Sequence, residues 1–161
     1  MRLTQSKRAL RDELVARLAS DLEALERAHR AALEAATHEE AKPENDKDTR
    51  ALEASYLARG QAMRVEELRG AVAELSGWWP RDLDGDGPVA LGALVEVEDD
   101  EATLRYFIAP HGGGALLAQG SVKVVTARSP LGRALLGKRA GDDCDVVVDG
   151  RRRALSITRV D

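Results

Sequence analysis

Apolar residues in the first quarter of the chain recur at steps of three, four or seven positions, which is the spacing of one face of an α-helix. Neither Pro nor Gly occurs from about Gln5 to His38, so the spacing predicts one uninterrupted helix there. The helix needs a partner, because its apolar stripe would otherwise face water. The stripe consists of Leu10, Leu14, Leu18, Leu22, Leu25, Ala32 and Ala36.

A second helical pattern follows a break at Pro43, Asn45 and Asp46, and it continues to Ser76. Its apolar positions are Leu52, Tyr56, Met63, Val65, Leu68, Val72 and Leu75. Two helices of about 30 residues, each roughly 45–50 Å long, joined by a short polar turn are expected to fold back on each other. The pattern predicts an antiparallel coiled coil over residues 1–77, with a dimerising coiled coil as the alternative.

The turn between the two helices is acidic. Residues 38–48 contain five acids and two lysines, which leaves a net charge of −3 at the far end of the predicted rod. Most acidic turns are simply solvated, but clustered carboxylates also supply the hard oxygen ligands that Mg²⁺ prefers. We therefore retain both interpretations for this tip, near residues 39–48.

The helical pattern stops at Gly77, and short β-rich runs begin after Pro88. Residues 78–88 are predicted to be a linker, and Trp78 and Trp79 to pack at the base of the hairpin. Alternation of apolar and polar residues predicts a mainly antiparallel sheet with one buried face over 89–161. The predicted strands cover residues 89–98, 102–110, 121–127, 143–149 and 152–160.

Local signals complete the prediction of an α+β fold. Ser129 followed by Pro130 predicts the start of a short helix that ends at Gly137. Asp149 and Gly150 predict a tight hairpin turn between the last two strands, because Asp-Gly tolerates positive φ.

Overall charge and cysteine content limit the possible functions. The net charge of −4 and pI of about 5.5 argue against strong independent DNA binding. The single Cys144 excludes an internal disulfide, and no apolar run approaches the roughly 18 residues of a membrane span. The N-terminal segment also lacks the apolar region of a signal peptide, so the chain is predicted to be a cytoplasmic protein of bacterial type.

Other residues with reactive side chains form no convincing catalytic set. His111 precedes three glycines, but no nucleophile elbow accompanies them, and Cys144 is predicted to be a small apolar residue in a strand. His29 and His38 are too isolated to predict a metal site. The arginines at 151–153 fit either a solvated edge or a binding patch. The chain is therefore not expected to be an enzyme by itself.

The C-terminal half resembles the GreA and GreB family of bacterial transcript-cleavage factors. The resemblance covers about residues 88–161 and rests on LGALVEVE, on YFIAP, and above all on SPLGRALLGKRAGDD. The hairpin, including ENDKDTRALEASYLARGQAMRVEEL, resembles the family in its helical pattern and its position in the chain more than in residue identity. The resemblance implies that the second half is an FKBP-like domain.

The resemblance also implies a function. Family members dock on the rim of the secondary channel of RNA polymerase and insert the coiled coil toward the catalytic centre. Tip carboxylates there help to hold a Mg²⁺ ion that belongs to the polymerase active site, so the contact with nascent RNA is indirect. In this chain we expect Glu44, Asp46 and Asp48 to serve as the tip ligands, because carboxylates two and four positions apart can meet around a loop. Docking is expected to use Ser129, Pro130, Leu131, Arg133, Leu135 and Lys138.

The tip departs from the family string, in which an Asp precedes a Glu-Asn pair by three positions. Aligning the pair with Glu44 and Asn45 places Ala41 at the Asp position, and aligning Glu44 with the Asp places Lys47 at the Glu position. In each of these two alignments, one of the two acids is missing. A Gre-like inhibitor or modulator that occupies the channel without promoting cleavage therefore remains an alternative, as does a coiled-coil structural or adaptor protein.

Overall fold

The computed structural model describes residues 6–40, 47–83 and 85–161. Two long helices open the chain, α1 at Lys7–Glu40 and α2 at Lys47–Gly77. Both were predicted by the apolar periodicity, and α2 tolerates Gly60 and Gly70 in its interior. None of the helices in these ranges has the length and apolar content needed to cross a lipid bilayer.

A six-stranded sheet and one short helix follow the hairpin, which confirms the predicted α+β class. The strand order is β3-β4-β2-β1-β6-β5, and all neighbours are antiparallel except β2 and β4, which are parallel. The two-residue strand β3 was not predicted. The elements are β1 Leu94–Glu98, β2 Thr103–Ile108, β3 Leu116–Leu117, β4 Val122–Val125, α3 Pro130–Leu135, β5 Asp143–Val148 and β6 Arg151–Val160.

The main core lies on one face of the sheet and includes Leu135 of α3. Leu94, Phe107 and Val124 are paired neighbours on the opposite face and are also buried, so the prediction of a single buried face is wrong for this part of the sheet. In β1 the inward Val95 and Val97 are fully buried, whereas Glu96 and Glu98 are not, as the alternation predicted. The hairpin of β5 and β6 turns at Asp149 and Gly150, with φ of 53° and 75°, which confirms the predicted turn. Other core members are Val89, Ala93, Tyr106, Ile108, Val125, Cys144, Val146, Leu155, Ile157 and Val160.

The chain divides into two compact units, and the division falls inside α1. One unit is Ala16–Ser76, and the other combines Gly77–Asp161 with the described part of Met1–Val15. The first turns of α1 thus belong with the sheet, whereas the predicted boundaries had assigned them to the hairpin. Leu10 and Leu14 are fully buried, and the position of a Cβ on Gly112 would lie only 2.7 Å from Leu14 Cδ1.

Within the hairpin unit, the apolar stripe predicted for α2 is partly wrong. Leu52, Tyr56 and Met63 are 56%, 62% and 61% exposed. They lie within about 40° of one another on a helix that turns about 100° per residue, on the side away from the buried positions. The buried or half-buried positions of α2 are Ala51, Ala54, Ala58, Gln61, Ala62, Val65, Leu68, Ala71, Val72 and Leu75. Alanines thus occupy positions that the larger residues were expected to fill.

Candidate functional site

The predicted tip lies between the two long helices. Glu44 and Asp46 lie outside the described residues, and Asp48 belongs to the first turn of α2 with a side chain that is also outside them. The helices end at Glu40 and begin at Lys47, which leaves these acids in or beside the connection. Their role as Mg²⁺ ligands stays a prediction.

The donor set at the tip has the right chemistry for a hard cation, since all three predicted ligands are carboxylates. Elsewhere in residues 6–40, 47–83 and 85–161, no three His, Cys, Asp or Glu side chains are grouped so that they could hold a metal ion.

The second predicted site surrounds α3, and its first turn is capped as the sequence indicated. Ser129 Oγ accepts a hydrogen bond from the Gly132 N–H at 3.0 Å and donates one to the Thr126 carbonyl at 2.9 Å. Pro130 occupies the first turn, where its missing N–H costs no hydrogen bond. These contacts stabilise the start of a helix only six residues long.

Gly132 allows α3 to lie directly against the preceding backbone. A Cβ at this position would be 1.9 Å from the carbonyl oxygen of Thr126, closer than any side chain allows. A glycine is therefore required here because two backbone segments lie in direct contact. The absence of a side chain lets α3 pack close to Thr126.

The six predicted docking residues differ in exposure. Pro130 and Arg133 are exposed, and Ser129, Leu131 and Lys138 are half-buried. Leu135 is fully buried in the main core, so it supports α3 from beneath and is not available to a partner. The accessible part of the predicted docking set thus comprises five residues.

The segment after α3 is held from both sides. The Gly137 N–H donates to the Val89 carbonyl at 2.9 Å, and the Lys138 carbonyl accepts from the Val89 N–H at 2.7 Å. Arg139 Nη1 donates to the Asp86 carbonyl at 2.6 Å, while the Arg139 N–H donates to Asp142 Oδ2 at 2.8 Å. These bonds fix the backbone that carries Lys138.

Four basic residues lie at accessible positions in and around α3. Arg128, Arg133 and Arg139 are exposed and Lys138 is half-buried. A local basic surface on a protein with net charge −4 can orient an acidic partner during encounter.

The sequence analysis missed Arg11, which links α1 to the segment that follows α2. Arg11 is only 7% exposed, and its Nε donates to the Trp78 carbonyl at 3.0 Å. Its Cζ lies 3.9 Å from the centre of the Trp79 ring, within the range of a cation–π contact, and Nη1 pairs with Asp12. The Trp78 ring lies 6.1 Å from that of Phe107. No spacing rule indicates that a charge within an apolar stripe will be buried in this way.

Lys7 forms another contact near the start of α1. Its Nζ donates to the Arg81 carbonyl. Burial lowers the pKa of the Lys7 ammonium group below its ordinary value, and the negative charges of Asp82 and Asp161 oppose that shift. Lys7 thus helps to hold the linker residue Arg81 against α1.

A long helical hairpin followed by a small mixed sheet with a capped short helix defines a class of two-part α+β factors. A family model described as "Transcription elongation factor, GreA/GreB, C-term" matches residues 84–161. A GreA of Nitratidesulfovibrio vulgaris is 33% identical over 143 residues, which cover 87% of this chain and 84% of that relative. A GreA of Rhodospirillum rubrum is 31% identical over 155 residues, which cover 91% of this chain and 92% of that relative. This chain belongs to the GreA/GreB family of transcription elongation factors.

Two other comparisons are weaker, one because it covers less of the chain and the other because its sequence identity and TM-score are low. A GreA of Verminephrobacter eiseniae is 33% identical over 99 residues, and the chain spans 60% of the length of that relative. Among solved structures, the GreA factor homolog 1 (Gfh1) of Thermus thermophilus matches 91% of this chain and 94% of its own at 20% identity, with a TM-score of 0.41.

Proposed function

We propose that the chain binds RNA polymerase as an accessory factor, inserts its helical hairpin into the secondary channel, and assists cleavage of backtracked RNA. The polymerase performs the chemistry, and this chain contributes reach and charge. The observation that carries the proposal is the hairpin, in which helices of 34 and 31 residues flank an acidic connection.

The dimensions of the hairpin support this mode of action. At about 1.5 Å per residue, each helix is roughly 45–50 Å long, so the connection lies far from the opposite ends of the two helices. Arg69 on α2 hydrogen-bonds Glu26 on α1 at 2.9 Å and also pairs with Glu66, which ties the two helices along their exposed side. A paired rod can enter a narrow channel that a globular domain cannot.

Glu44, Asp46 and Asp48 are the residues that we propose to offer oxygen ligands to a Mg²⁺ shared with the polymerase. The ion would act as a Lewis acid in phosphodiester hydrolysis when bound. The chain itself would orient the ion through these carboxylates and would contact nascent RNA only indirectly.

Docking is assigned to the accessible surface of α3 and the segment after it. Pro130, Leu131 and Arg133 lie on or beside the capped helix, and Lys138 lies on the hydrogen-bonded segment. Because their backbone is fixed by Gly132 and by Val89, this surface needs little ordering on binding.

The proposal is tested with stalled, backtracked transcription complexes. The wild type should shorten the RNA, and Glu44→Ala or Asp48→Ala should slow that reaction at least about tenfold. Glu53→Ala is the matched control, because it removes an exposed carboxylate of α2 outside the tip and should leave the rate unchanged. Wild-type protein that neither binds the polymerase nor competes with a Gre factor would disprove the proposal.

A second candidate is an inhibitor or modulator that occupies the channel without promoting cleavage. It is favoured by the tip sequence, where neither alignment supplies both acids of the family string. In the same assay this candidate predicts no shortening by the wild type and protection of the RNA from an added Gre factor. Arg133→Ala should weaken that protection, whereas Arg128→Ala, an exposed arginine outside the predicted docking segment, should weaken it less.

A third candidate, a coiled-coil adaptor, is favoured by the exposed outer face of α2. Leu52, Tyr56 and Met63 lie on that face and are each more than half exposed. An apolar row of this kind can recognise another helix. Sedimentation of the isolated protein tests this candidate: a concentration-dependent dimer that becomes a monomer in Leu52→Glu would support it, and a monomer at all concentrations would not.

A further inference from the structure

The hairpin seam changes character along its length. Near the base it is formed by leucine and valine, at the 4–3 spacing of a coiled coil. On α1 the spacing runs through Leu18, Leu22 and Leu25, and on α2 through Val65, Leu68, Val72 and Leu75; all are buried or half-buried. We call residues 16–28 and 62–76 the proximal segment.

Toward the tip the same seam is formed by alanine. The described seam positions there are Ala32 and Ala36 on α1 and Ala51, Ala54 and Ala58 on α2. Larger apolar side chains in this part lie outside the seam, with Leu33 45%, Leu52 56%, Tyr56 62% and Leu57 58% exposed. We call residues 30–38 and 49–60 the distal segment. Its seam excludes much less apolar surface from water per residue than the proximal seam does.

A polar level separates the two segments. His29 follows Leu25 and precedes Ala32 in the seam of α1, and Gln61 lies between Ala58 and Val65 in the seam of α2. Two observations limit which residues of α1 can lie opposite which residues of α2. Glu26 contacts Arg69 on one side of the polar level, and the connection joins Glu40 to Lys47 on the other. Within these limits, His29 and Gln61 lie at about the same height.

Both polar side chains bury an atom without a hydrogen-bond partner. Among the described residues, the two buried side-chain atoms in this condition are His29 Nδ1 and Gln61 Oε1. A buried polar atom in a seam that has no hydrogen-bond partner loses its hydration and gains nothing in return. Gly60 lies next to Gln61 and weakens the helix at this level, because a glycine has more backbone entropy to lose on folding. No contact requires a glycine there, since a Cβ would meet nothing within 4 Å.

We propose that the level formed by His29 and Gln61 divides the hairpin into two cooperative units, and that the distal segment opens locally while the proximal segment stays folded. The inference rests on packing within Ala16–Ser76 alone, so it holds whether or not the polymerase is the partner. Its functional consequence is that the part of the rod nearest the acidic connection can change shape independently of the base.

Amide hydrogen exchange of the full chain, followed residue by residue, tests the proposal. Distal amides should be protected at least about tenfold less than proximal amides. Val65→Ala, which opens space in the proximal seam, should lower proximal protection about tenfold or more and leave distal protection unchanged. If the hairpin unfolds as one unit, Val65→Ala will lower protection in both segments by the same factor, and the proposal is overturned.

A second variant tests whether the polar level causes the lower amide protection of the distal segment. The double substitution His29→Leu with Gln61→Leu replaces both unpaired groups with apolar side chains and should raise distal protection at least about tenfold. His38→Leu is the matched control, since His38 is exposed on the same helix, and it should change distal protection by less than about threefold. Unchanged distal protection in the double variant would contradict the assignment to His29 and Gln61.

Discussion

Glu13 of α1 accepts the backbone N–H of Ala118 with both carboxylate oxygens, at 3.1 and 3.0 Å. Ala118 and Gln119 form the turn between β3 and β4, and both have positive φ, 52° and 57°. A left-handed conformation costs a residue with a Cβ about 1–2 kcal/mol. A charged side chain of the first helix thus holds a strained turn of the sheet.

Removing this acceptor should destabilise the protein. Glu13→Ala leaves the half-buried Ala118 N–H without its acceptor and should lower the free energy of unfolding by about 1–2 kcal/mol. Urea denaturation measures the difference. Glu13→Gln keeps an acceptor oxygen and should cost less; equal losses in the two variants would show that the hydrogen bond is unimportant.

Relieving the backbone strain should have the opposite sign. Gln119→Gly removes the Cβ at φ of 57° and should raise the free energy of unfolding by about 0.5–1 kcal/mol, after the larger entropy of the unfolded glycine is subtracted. Gln119→Ala retains the Cβ and should give no gain. Thermal unfolding of both variants makes the comparison, and an equal gain in each would argue against strain.

Two glycine-to-alanine substitutions should differ in sign. Gly132→Ala places a Cβ against the Thr126 carbonyl and should destabilise the protein by more than about 2 kcal/mol, because α3 must move. Gly60→Ala meets nothing within 4 Å inside a helix and should stabilise α2 by up to about 1 kcal/mol. Denaturant unfolding measures both, and a mild effect of Gly132→Ala would mean that α3 is loosely held.

Asp99 should make part of the stability depend on pH. The Glu101 and Ala102 N–H groups donate to Asp99 Oδ1 at 2.9 and 2.8 Å and, helped by Arg153, hold the pKa of Asp99 below its ordinary 3.8. Because the folded pKa is the lower one, the stabilisation is complete above about pH 5 and is lost as the pH falls through the folded pKa.

The corresponding variant is Asp99→Asn, which keeps the side-chain shape and removes the charge. The stability difference between wild type and variant should be constant near neutral pH and shrink on acidification below the ordinary carboxyl pKa. Urea denaturation at a series of pH values measures it. A difference that is the same at pH 3 and pH 7 would show that ionisation of Asp99 contributes nothing.

Elements with strong local signals were predictable from the sequence. The N-cap of α3, the Asp149–Gly150 turn and the alternation of β1 all depend on neighbouring residues, and each is found in the structure, although α3 ends at Leu135, two residues before the predicted Gly137. The existence of both long helices was equally clear, since no proline interrupts either one and α2 tolerates its two interior glycines.

Features that depend on distant residues were not predictable. The sequence analysis placed Leu52, Tyr56 and Met63 in the seam of α2 because they are large and apolar, although their angular positions around the helix differ from those of Val65 and Leu68. The structure buries alanines and Gln61 instead. The burial of Arg11 under Trp79 and the bond from Glu13 to Ala118 join positions far apart in the chain. For the candidate site, the docking role of the α3 surface stays a prediction, and the sequence could not show that Leu135 is buried.

Close contact of Gly132 with Thr126 separates what can vary on the α3 surface from what cannot. Position 132 admits no side chain as long as α3 keeps its place against Thr126. Pro130 and Arg133 beside it are exposed, so a substitution there changes the charge or shape of the surface without moving the helix. Variants of these two residues therefore probe partner recognition on a backbone that stays where the glycine holds it.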